Sequence, residues 1–307
     1  MEQKVIKIGT RDSELALWQA NTVQKKLQDL GFKTEIIAIK STGDIILDQP
    51  LYELGITGIF TKTLDVAMLK GDIDIAVHSM KDVPTTLPIG IVQAAVLERA
   101  NTLDILVHKG NLDFLNSEGV IASGSLRRKA QWLHKYPTHQ VEDLRGNVNT
   151  RMQKLNDNNW DGAIFAAAGL ERINIKPDAF INLDWMIPAP AQGAMVVVAM
   201  EKDNFIREAL CQLNHKESEI CTYIERQFLK TLEGGCTAPI GALAVKNGSQ
   251  IDFQGVLFSL NGKEKYFIEK SCNFESYFNF GQECAKEILE NGGKTLMEKL
   301  RNELNTN

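Results

Sequence analysis

Apolar and polar positions alternate along the chain with two periods, which predict strands and helices in turn. Residues 5–9 have the pattern of a short strand, and the apolar residues after them recur every three or four positions, as on one face of a helix. This apolar stripe consists of Ala16, Ala20, Val23, Leu27 and Leu30. Asp12 or Ser13 is the predicted N-cap of the helix, and Gly31 is predicted to end it.

Strands and helices continue to alternate through the first two thirds of the chain. Further strands are predicted at 34–40, 74–78, 120–122, 140–144, 162–166 and 194–200, and further helices at 62–69, from a cap at Ser123 or Ser125 to about 136, and at about 148–156. Such alternation favours parallel α/β units, and we expect two lobes of this kind. Residues 41–60 carry three glycines and little periodicity, so a mobile lid is expected there. The Pro/Ala-rich stretch 187–192 is the expected crossing between lobes.

The last third of the chain has a different pattern. From about Glu217 we predict one helix, a Gly-Gly loop, strands near 242–245 and 251–257, and a terminal helix, which together indicate a separate α+β unit. A chain of 307 residues is long enough for two domains or three small ones, in agreement with this division.

Composition and charge exclude several classes of protein. Hydrophobic residues make up 44% of the chain and charged residues 24%, and no apolar run reaches the roughly 18 residues of a membrane span. The net charge of -5, without a basic stripe, argues against a nucleic-acid partner. The amino terminus has no pattern of a targeting segment, so we expect a cytoplasmic protein. Five cysteines without C-x-x-C spacing predict free thiols, and no H-E-x-x-H motif indicates a metal site.

Arginines cluster where ligands bind in α/β proteins. Ten residues of the chain are arginine, and six of them lie at or near predicted strand-to-helix junctions: Arg11, Arg127, Arg128, Arg145, Arg151 and Arg172. A cation in the first turn of a helix opposes the helix dipole by roughly 0.3–1 kcal/mol, and a bound anion would reverse that sign. We therefore expect a site for carboxylates or phosphates. The alternative is that these arginines are solvated surface residues that pair with nearby acids.

Two further segments carry candidate chemistry. The sequence HSMKDVP (78–84) follows a predicted strand and places Ser79, Lys81 and Asp82 at its carboxyl end, although a polar turn with an ion pair would have the same composition. Cys236 follows two glycines that would allow close approach of a ligand, which makes it a candidate nucleophile or attachment site. The other four cysteines suit buried, inert positions.

Two residues near these segments have open or structural assignments. Phe60 fits either the core or a stack against a ligand. His78 is expected to be a structural histidine whose ring nitrogens are bonded.

Six motifs in this order resemble the porphobilinogen deaminase family, also called hydroxymethylbilane synthases, over nearly the whole chain. They are TRDSELALWQ (10–19), HSMKDVP (78–84), SLRRKAQ (125–131), LRGNVNTR (144–151), AAAGLERI (166–173) and EGGCTAPIG (233–241). The resemblance implies two periplasmic-binding-protein-like α/β lobes plus a smaller C-terminal α+β domain. We expect domain 1 in residues 1–97 and 195–212, domain 2 in 101–190 and domain 3 in 217–307.

The resemblance also implies an activity and a set of site residues. Members of the family are transferases of porphyrin and heme biosynthesis that condense four porphobilinogen molecules head to tail, release ammonia each time, and hydrolyse off the linear tetrapyrrole. They carry a covalent dipyrromethane cofactor, here expected on Cys236 through a thioether, and Asp82 is the expected catalytic group. The other expected cofactor-binding residues are Ser79, Lys81, Ser123, Ser125, Arg127, Arg128, Gly146 and Arg172. The expected substrate-binding residues are Arg11, Ser13, Phe60, Arg145 and Arg151.

The composition of this set suits the chemistry that the resemblance implies. Porphobilinogen bears two carboxylates, so arginines suit a growing oligopyrrole, whereas loss of ammonia creates a cationic azafulvenium that arginines repel. Asp82 is the anion expected to face that cation. We expect a monomer with porphobilinogen as its small-molecule partner and with no nucleic acid or membrane bound. Two alternatives stay open: a non-enzymatic anion-binding protein and a phosphate-handling transferase, the second without a G-x-x-x-x-G-K-[ST] motif.

Overall fold

The computed structural model describes residues 4–40, 61–232 and 238–306. In chain order the regular elements are β1 (Val5–Thr10), α1 (Glu14–Asp29), β2 (Lys33–Ala38), α2 (Lys62–Lys70), β3 (Ile75–Ser79), β4 (Ile91–Val96), β5 (Asp104–His108), β6 (Val120–Ala122), α3 (Leu126–Lys135), β7 (Gln140–Glu142), α4 (Val148–Asp157), β8 (Gly162–Ala166), α5 (Ala167–Arg172), β9 (Phe180–Asn182), β10 (Met195–Met200), α6 (Asn204–Cys211), α7 (Lys216–Thr231), β11 (Ile240–Asn247), β12 (Gln250–Phe258), β13 (Lys265–Asn273), α8 (Phe280–Ile288) and α9 (Lys294–Thr306). The predicted lid at 41–60 lies outside the described residues.

The described chain divides into two compact units. The first holds residues 4–40, 61–100 and 193–219, and the second holds 101–192, 220–232 and 238–306. The boundary at Gln192 and Gly193 agrees with the crossing that the Pro/Ala-rich stretch predicts. No helix of the described ranges is long and apolar enough to cross a membrane.

The first unit is built on one five-stranded sheet in the order β2-β1-β3-β10-β4. β1 pairs in parallel with β2 and β3, whereas β10 runs antiparallel to both β3 and β4. The apolar face of α1 covers this sheet, with Ala20, Val23 and Leu27 fully buried against Ile6 and Ile8. Full burial of a leucine such as Leu27 stabilises the fold by roughly 1.5–3 kcal/mol.

The second unit repeats that arrangement in a sheet of order β7-β6-β8-β5-β9. Here β6 pairs in parallel with β7 and β8, and β5 runs antiparallel to β8 and β9. Each lobe therefore has three parallel strands followed by one reversed strand and one edge strand. The predicted pair of α/β lobes is confirmed, and the reversed strands show that neither sheet is purely parallel.

A smaller antiparallel sheet forms the C-terminal part of the second unit. Its order is β11-β12-β13, and α7, α8 and α9 contribute Phe228, Ile288 and Leu300 to its core. The α+β character of this segment is confirmed. The third strand and the division of the terminal helix into α8 and α9 were not expected from the sequence.

Most helices and strands begin and end within two residues of their predicted bounds. The prediction that Leu30 belongs to the apolar stripe of α1 is wrong. Ser13 is the N-cap of α1, because its Oγ accepts a hydrogen bond from the Ala16 N–H (3.4 Å). α1 ends at Asp29, so Leu30 turns away from the stripe and is 44% exposed. Gly31 follows with a φ of 89°, and Phe32 packs against the core instead.

Candidate active site

In the first unit the expected site residues lie at the carboxyl ends of two neighbouring parallel strands. Arg11 directly follows β1, and Ser79 ends β3 before a one-turn 3-10 helix at Met80–Asp82. Because parallel strands end at the same edge of a sheet, Arg11 and the Ser79–Asp82 segment share one edge. Ligands of open α/β sheets bind at such an edge.

Two buried apolar side chains hold the HSMKDVP segment in place. Met80 and Val83 are 2% and 4% exposed, and the Met80 N–H donates to the Ala194 carbonyl (3.0 Å). The Val83 N–H closes the turn on the Met80 carbonyl (3.2 Å). Lys81 and Asp82 lie between these anchors and remain half-buried. The carboxylate of Asp82 is therefore carried on a rigid turn with access to solvent.

Gln19 positions Ser79, a role that the sequence analysis missed. The Gln19 side chain is buried on α1, and its Nε2 donates to Ser79 Oγ at 2.8 Å. The available signal was its spacing, because Gln19 lies three residues after Ala16 and four before Val23, on the apolar face of the helix. A polar side chain on such a face requires a buried partner.

His78, the first residue of this segment, is buried, but the expectation that its ring nitrogens are bonded is wrong for Nε2. Its Nε2 has no hydrogen-bond partner among the described residues. Burial, with a smaller contribution from the charge of Arg11, lowers the pKa of His78 to about 4. The imidazole is therefore neutral at physiological pH and adds no positive charge next to Asp82.

In the second unit the expected residues follow all three parallel strands of the sheet. Ser123 comes after β6, Arg145 after β7, and Arg172 lies on α5 after β8. Ser125 is the N-cap of α3, and its Oγ accepts from the Arg128 N–H. Ser123 is buried, and its Oγ accepts from the Ser125 N–H (3.3 Å). Of the two predicted caps, Ser125 is correct, and Ser123 shapes the turn before it.

Arg127 and Arg128 are buried and share one carboxylate. They are 4% and 5% exposed, and Asp104 at the start of β5 is fully buried between them. Arg127 Nη1 lies 2.7 Å from Asp104 Oδ2, and Arg128 Nη2 lies 2.7 Å from Oδ1. Both arginines therefore pair with an acid, as the alternative expects, but they are buried and not solvated at the surface.

The charges of this cluster do not cancel. Burial alone would raise the pKa of Asp104, but the charges of both arginines and hydrogen bonds from Arg127 and Gln192 hold it well below its usual range. Burial lowers the pKa of Arg127, the repulsion of Arg128 adds to that lowering, and the attraction of Asp104 opposes it. Two guanidinium groups and one carboxylate leave one positive charge in a buried place. Arg127 Nε is also buried without a hydrogen-bond partner among the described residues.

Asp104 and Gln192 were missed by the sequence analysis. Gln192 is fully buried, and its Nε2 donates to Asp104 Oδ1 (3.0 Å) and to the Thr102 carbonyl (2.8 Å). Arg128 Nη1 further donates to the Ile164 carbonyl (2.9 Å). The pairing joins residues more than twenty positions apart, and β5 was not predicted, so no local pattern identified Asp104.

The remaining arginines of the second unit are less enclosed than this pair. Arg145 is 7% exposed, and burial lowers its pKa while Asp143 opposes the shift. Burial likewise lowers the pKa of the half-buried Arg172 to about 10, against the opposing charge of Glu171. Both guanidinium groups have lost hydration, and an anionic ligand would compensate them.

The turn at Gly146 orients Arg151. Gly146 has a φ of 111°, which favours glycine, and a side chain there would lie 2.7 Å from Thr150 Cγ2. The Gly146 carbonyl accepts from Arg151 Nε at 2.7 Å, so this guanidinium is fixed at the start of α4.

The cysteines and Phe60 complete the set of expected residues. Cys236 and Phe60 lie outside the described residues, so their roles stay predictions. Cys221 and Cys284 are buried as expected, and burial raises the pKa of Cys284 to about 12. Cys272 is half-buried and Cys211 is exposed, so the expectation of burial is wrong for Cys211, which ends α6 at the surface.

Comparison with known proteins identifies the family. A family model described as "Porphobilinogen deaminase, dipyromethane cofactor binding domain" matches residues 6–208, and one described as "Porphobilinogen deaminase, C-terminal domain" matches 195–290. Porphobilinogen deaminase of Syntrophomonas wolfei is 40% identical over 302 residues, covering 96% of this chain and 99% of the relative. The chloroplastic porphobilinogen deaminase of Oryza sativa is 38% identical over 310 residues, covering 97% and 87%.

Among solved structures, the periplasmic VFT2 domain of Bordetella pertussis BvgS matches 68% of this chain and 86% of its own, with 13% identity and a TM-score of 0.42. The matches to the family models and to the full-length relatives are sufficient to assign the family. They agree with the order of the six motifs and with the arginine-rich sheet edge described above. The chain therefore belongs to the porphobilinogen deaminase family.

Proposed function

We propose that this chain condenses four porphobilinogen molecules into a linear tetrapyrrole, with release of ammonia at each step and final hydrolysis to hydroxymethylbilane. The observation that carries the proposal is a division of charge between two sheet edges. A rigid turn presents the carboxylate of Asp82 at one edge, and the other edge gathers arginines around a cluster with one unbalanced positive charge. A substrate that carries several carboxylates and reacts through a cationic intermediate requires guanidinium groups for the carboxylates and a carboxylate for the cation.

Residues of the second unit fit a dipyrromethane, because the substituents on the rings of that group end in carboxylates. The unbalanced charge of the Arg127–Arg128–Asp104 cluster and the unpartnered Arg127 Nε both favour an additional anion. We propose that Ser79, Lys81, Ser123, Ser125, Arg127, Arg128, Gly146 and Arg172 hold the group and that Cys236 attaches it covalently. When bound, the dipyrromethane supplies the pyrrole carbon to which substrate units are added.

Arg11, Arg145 and Arg151 are proposed to hold the carboxylates of the substrate, with Ser13 and Phe60 completing this set. A guanidinium forms a planar fork that matches a carboxylate, and each charge-assisted bond contributes roughly 1.5–3 kcal/mol. Arg151 is oriented for this role by its bond to the Gly146 carbonyl.

Asp82 is proposed to stabilise the cation that forms from the substrate. When the carbon–nitrogen bond of the protonated aminomethyl group breaks, the electron pair leaves with the nitrogen as ammonia, and the positive charge stays on the pyrrole. A carboxylate about 4 Å away stabilises that charge by roughly 4 kcal/mol at an effective dielectric near 20, which is close to a thousandfold in rate. Asp82 then accepts the proton released when the new carbon–carbon bond forms.

The surroundings of Asp82 support this role. Met80 and Val83 fix the turn that carries the carboxylate, and Gln19 fixes Ser79 at its start. His78 is neutral near pH 7, so it does not repel the cation. These contacts limit the movement of the carboxylate, which keeps its charge near the reacting ring.

The experiment combines intact-mass measurement with an assay of ammonia release. We expect the purified protein to carry the mass of a dipyrromethane, to consume porphobilinogen, and to release one ammonia for each molecule consumed. The Cys236→Ser variant should lack the added mass and the activity, while Cys211→Ser, an exposed cysteine elsewhere, should keep both. An unmodified thiol that gains no adduct after incubation with porphobilinogen would contradict the proposal and favour a non-enzymatic anion-binding protein.

We further propose that the protein acts in the cytoplasm as a monomer, without nucleic acid or membrane. The net charge of -5, without a basic stripe, supports the expectation that no nucleic acid is bound. Sedimentation of the active enzyme should give the mass of one 34.2 kDa chain, and a stable dimer would contradict the proposal.

A further inference from the structure

The crossing segment, residues 187–192, lies directly against the buried arginine cluster of the second unit. Two of its six residues are proline, which restricts its backbone. At its start the Ile187 carbonyl accepts a hydrogen bond from Arg127 Nη1 (2.8 Å). At its end Gln192 Nε2 donates to Asp104 Oδ1 (3.0 Å). One short segment therefore contacts both an arginine of the cluster and the counter-ion.

These contacts set the orientation of the Arg127 guanidinium group. Its Nη1 donates to Asp104 Oδ2 (2.7 Å) as well as to the Ile187 carbonyl, so both hydrogens of that nitrogen are directed. Its Nε is the buried donor without a partner among the described residues. Because a guanidinium group is planar, fixing Nη1 also fixes the direction in which Nε points. The crossing segment therefore directs the donor that favours an additional anion.

Gln131 holds the first residue of the crossing segment. It lies on α3 four residues after Arg127, so both side chains project from one face of the helix. The Ile187 N–H donates to Gln131 Oε1 (2.8 Å), and Gln131 Nε2 donates to the Ile187 carbonyl (2.9 Å). The Gln131 side chain is buried. This pair of hydrogen bonds places the Ile187 carbonyl where Arg127 reaches it.

Glu225 holds the other end of the crossing segment. It lies on α7, is fully buried, and has no assigned part in the reaction. Its Oε2 accepts from the Ala191 N–H (2.6 Å), and its Oε1 accepts from the Ala244 N–H in β11 (2.7 Å). A carboxylate in the interior is costly unless it is hydrogen-bonded. Here the backbone of the crossing segment supplies one of the bonds that Glu225 requires.

The backbone conformation of Ala191 makes that bond important. Ala191 has a φ of 63°, in the left-handed region that is unfavourable for residues other than glycine. The bond to Glu225 stabilises this conformation, and relaxation of Ala191 to a negative φ would turn the next residue. That residue is Gln192, whose amide binds Asp104. Glu225 therefore acts on the arginine cluster through two consecutive residues.

We propose that Glu225 and Gln131 are positioning residues for the reaction, because they hold the crossing segment in the place that orients the Arg127–Arg128–Asp104 cluster. Neither side chain is proposed to touch the substrate or the cofactor. The inference rests on the proposed function, in which this cluster holds the dipyrromethane. A shift of the cluster would misplace the pyrrole carbon that is extended and so lower kcat, whereas the separate arginines proposed to bind porphobilinogen would keep KM nearly constant.

The Glu225→Gln variant of the full-length holoenzyme tests the proposal. An amide has a single acceptor oxygen, so one of the two backbone N–H groups loses its acceptor. Ala244 is held in the ladder of β11 and β12, so the strained Ala191 is the residue expected to move. We expect kcat per molecule that carries the dipyrromethane mass to fall about tenfold to a hundredfold, while KM changes by less than about threefold.

Two comparisons separate this role from a contribution to stability alone. A purely structural role would lower the melting temperature and leave kcat of the folded, loaded molecules unchanged. Glu298→Gln changes an exposed glutamate on α9 of the same unit and should alter neither the melting temperature nor the kinetics.

Hydrogen exchange gives a readout that does not depend on activity. The Gln192 N–H donates to the Ala189 carbonyl (2.9 Å), and relaxation at Ala191 would open this turn. Its exchange, followed by mass spectrometry, should be about tenfold or more faster in Glu225→Gln. Adding Ala191→Gly should restore both slow exchange and kcat, because glycine adopts a positive φ without strain. A packing defect of α7 would not be repaired by this change.

Gln131→Met releases the crossing segment at Ile187 and should likewise lower kcat with little change in KM. The positioning role would be overturned if kcat per loaded molecule stayed within about threefold of normal in both Glu225→Gln and Gln131→Met, or if Ala191→Gly failed to repair Glu225→Gln. A chain that carries no dipyrromethane and consumes no porphobilinogen would instead overturn the proposed function. In that case unchanged exchange at Gln192 in Glu225→Gln would overturn the positioning role as well, and faster exchange would support it.

Discussion

The two sheet edges hold their charged groups in opposite ways. In the first unit Asp82 stands half-buried on a turn that apolar anchors and backbone hydrogen bonds fix in place. In the second unit Arg127 and Arg128 are buried, and the fully buried Asp104 is their counter-ion. Apolar packing and backbone hydrogen bonds hold Asp82 in place at the first edge. Ion pairs among the charged groups themselves hold Arg127, Arg128 and Asp104 in place at the second edge.

This difference separates catalysis from stability. A group fixed by its neighbours can lose its charge with little effect on the fold, whereas a buried pair that loses one partner leaves an uncompensated charge in a place without water. Charge removal at Asp82 should therefore reduce rate, and charge removal within the buried Arg127–Arg128–Asp104 cluster should reduce stability. The following changes test that contrast, from the largest effect to the smallest.

The largest effect is expected from Asp82→Asn. Turnover of porphobilinogen should fall about a thousandfold, because the cation loses roughly 4 kcal/mol of stabilisation. The free energy of unfolding should change by less than about 1 kcal/mol, since the side chain is half-exposed. Steady-state kinetics and urea unfolding measure the two quantities. Asp72→Asn, an exposed aspartate before the opposite end of β3, should change neither, and near-normal turnover of Asp82→Asn would remove Asp82 from the mechanism.

Asp104→Asn should mainly lower the free energy of unfolding. The variant leaves two buried guanidinium groups without a counter-charge, so the free energy of unfolding should fall by about 3–5 kcal/mol. Urea unfolding at pH 7 is the measurement. Asp113→Asn removes an exposed carboxylate from the same unit and should cost less than about 0.5 kcal/mol. Equal stabilities of the two variants would show that the buried cluster does not stabilise the fold.

His78 should make the first unit sensitive to acid. Its folded pKa of about 4 lies below the unfolded value near 6.5, so the unfolded chain binds the proton first as the pH falls. The folded state is unaffected above pH 6.5 and loses up to about 3 kcal/mol of relative stability between pH 6.5 and pH 4. His78→Gln should remove that part of the pH dependence. Parallel unfolding curves of the two proteins across this range would contradict the assignment.

The smallest effect is expected from Arg151→Gln. This guanidinium is half-buried and is proposed to hold a substrate carboxylate, so its loss should weaken porphobilinogen use by about tenfold to a hundredfold. The melting temperature should change little. Arg207→Gln, an exposed arginine on α6, should alter neither quantity. A lowered melting temperature with normal elongation would indicate a structural role for Arg151.

Local patterns predicted much of the fold because the elements concerned have clear signals. α1 has an apolar stripe and a serine cap, and β6 and β8 have the bounds that their apolar runs indicate. β13 was missed because it is an edge strand in which only Ile268 is buried, so its residues show no alternation. Leu30 was misplaced because the helix ends one residue before it.

The candidate site residues could be predicted where they belong to motifs of adjacent residues. The predicted strand-to-helix junctions gave the positions of Asp82, Arg11 and Arg145 just after strands, and Arg172 lies further on, at the end of α5, while the roles of all these residues stay predictions. The partners of these residues were not predictable from adjacent positions. Asp104 and Gln192 meet Arg127 and Arg128 through strand pairing and a chain crossing, and Gln19 reaches Ser79 across sixty residues of sequence.

The position of β10 has a consequence for how the protein is made. This strand lies between β3 and β4 in the first sheet, yet it follows the whole of the second sheet in the chain. Until the ribosome has released residues 195–200, β3 and β4 have no neighbour to satisfy the backbone groups that face each other across the gap. The first lobe therefore completes its folding only after the second has been synthesised, and a fragment that ends near residue 100 should not fold alone.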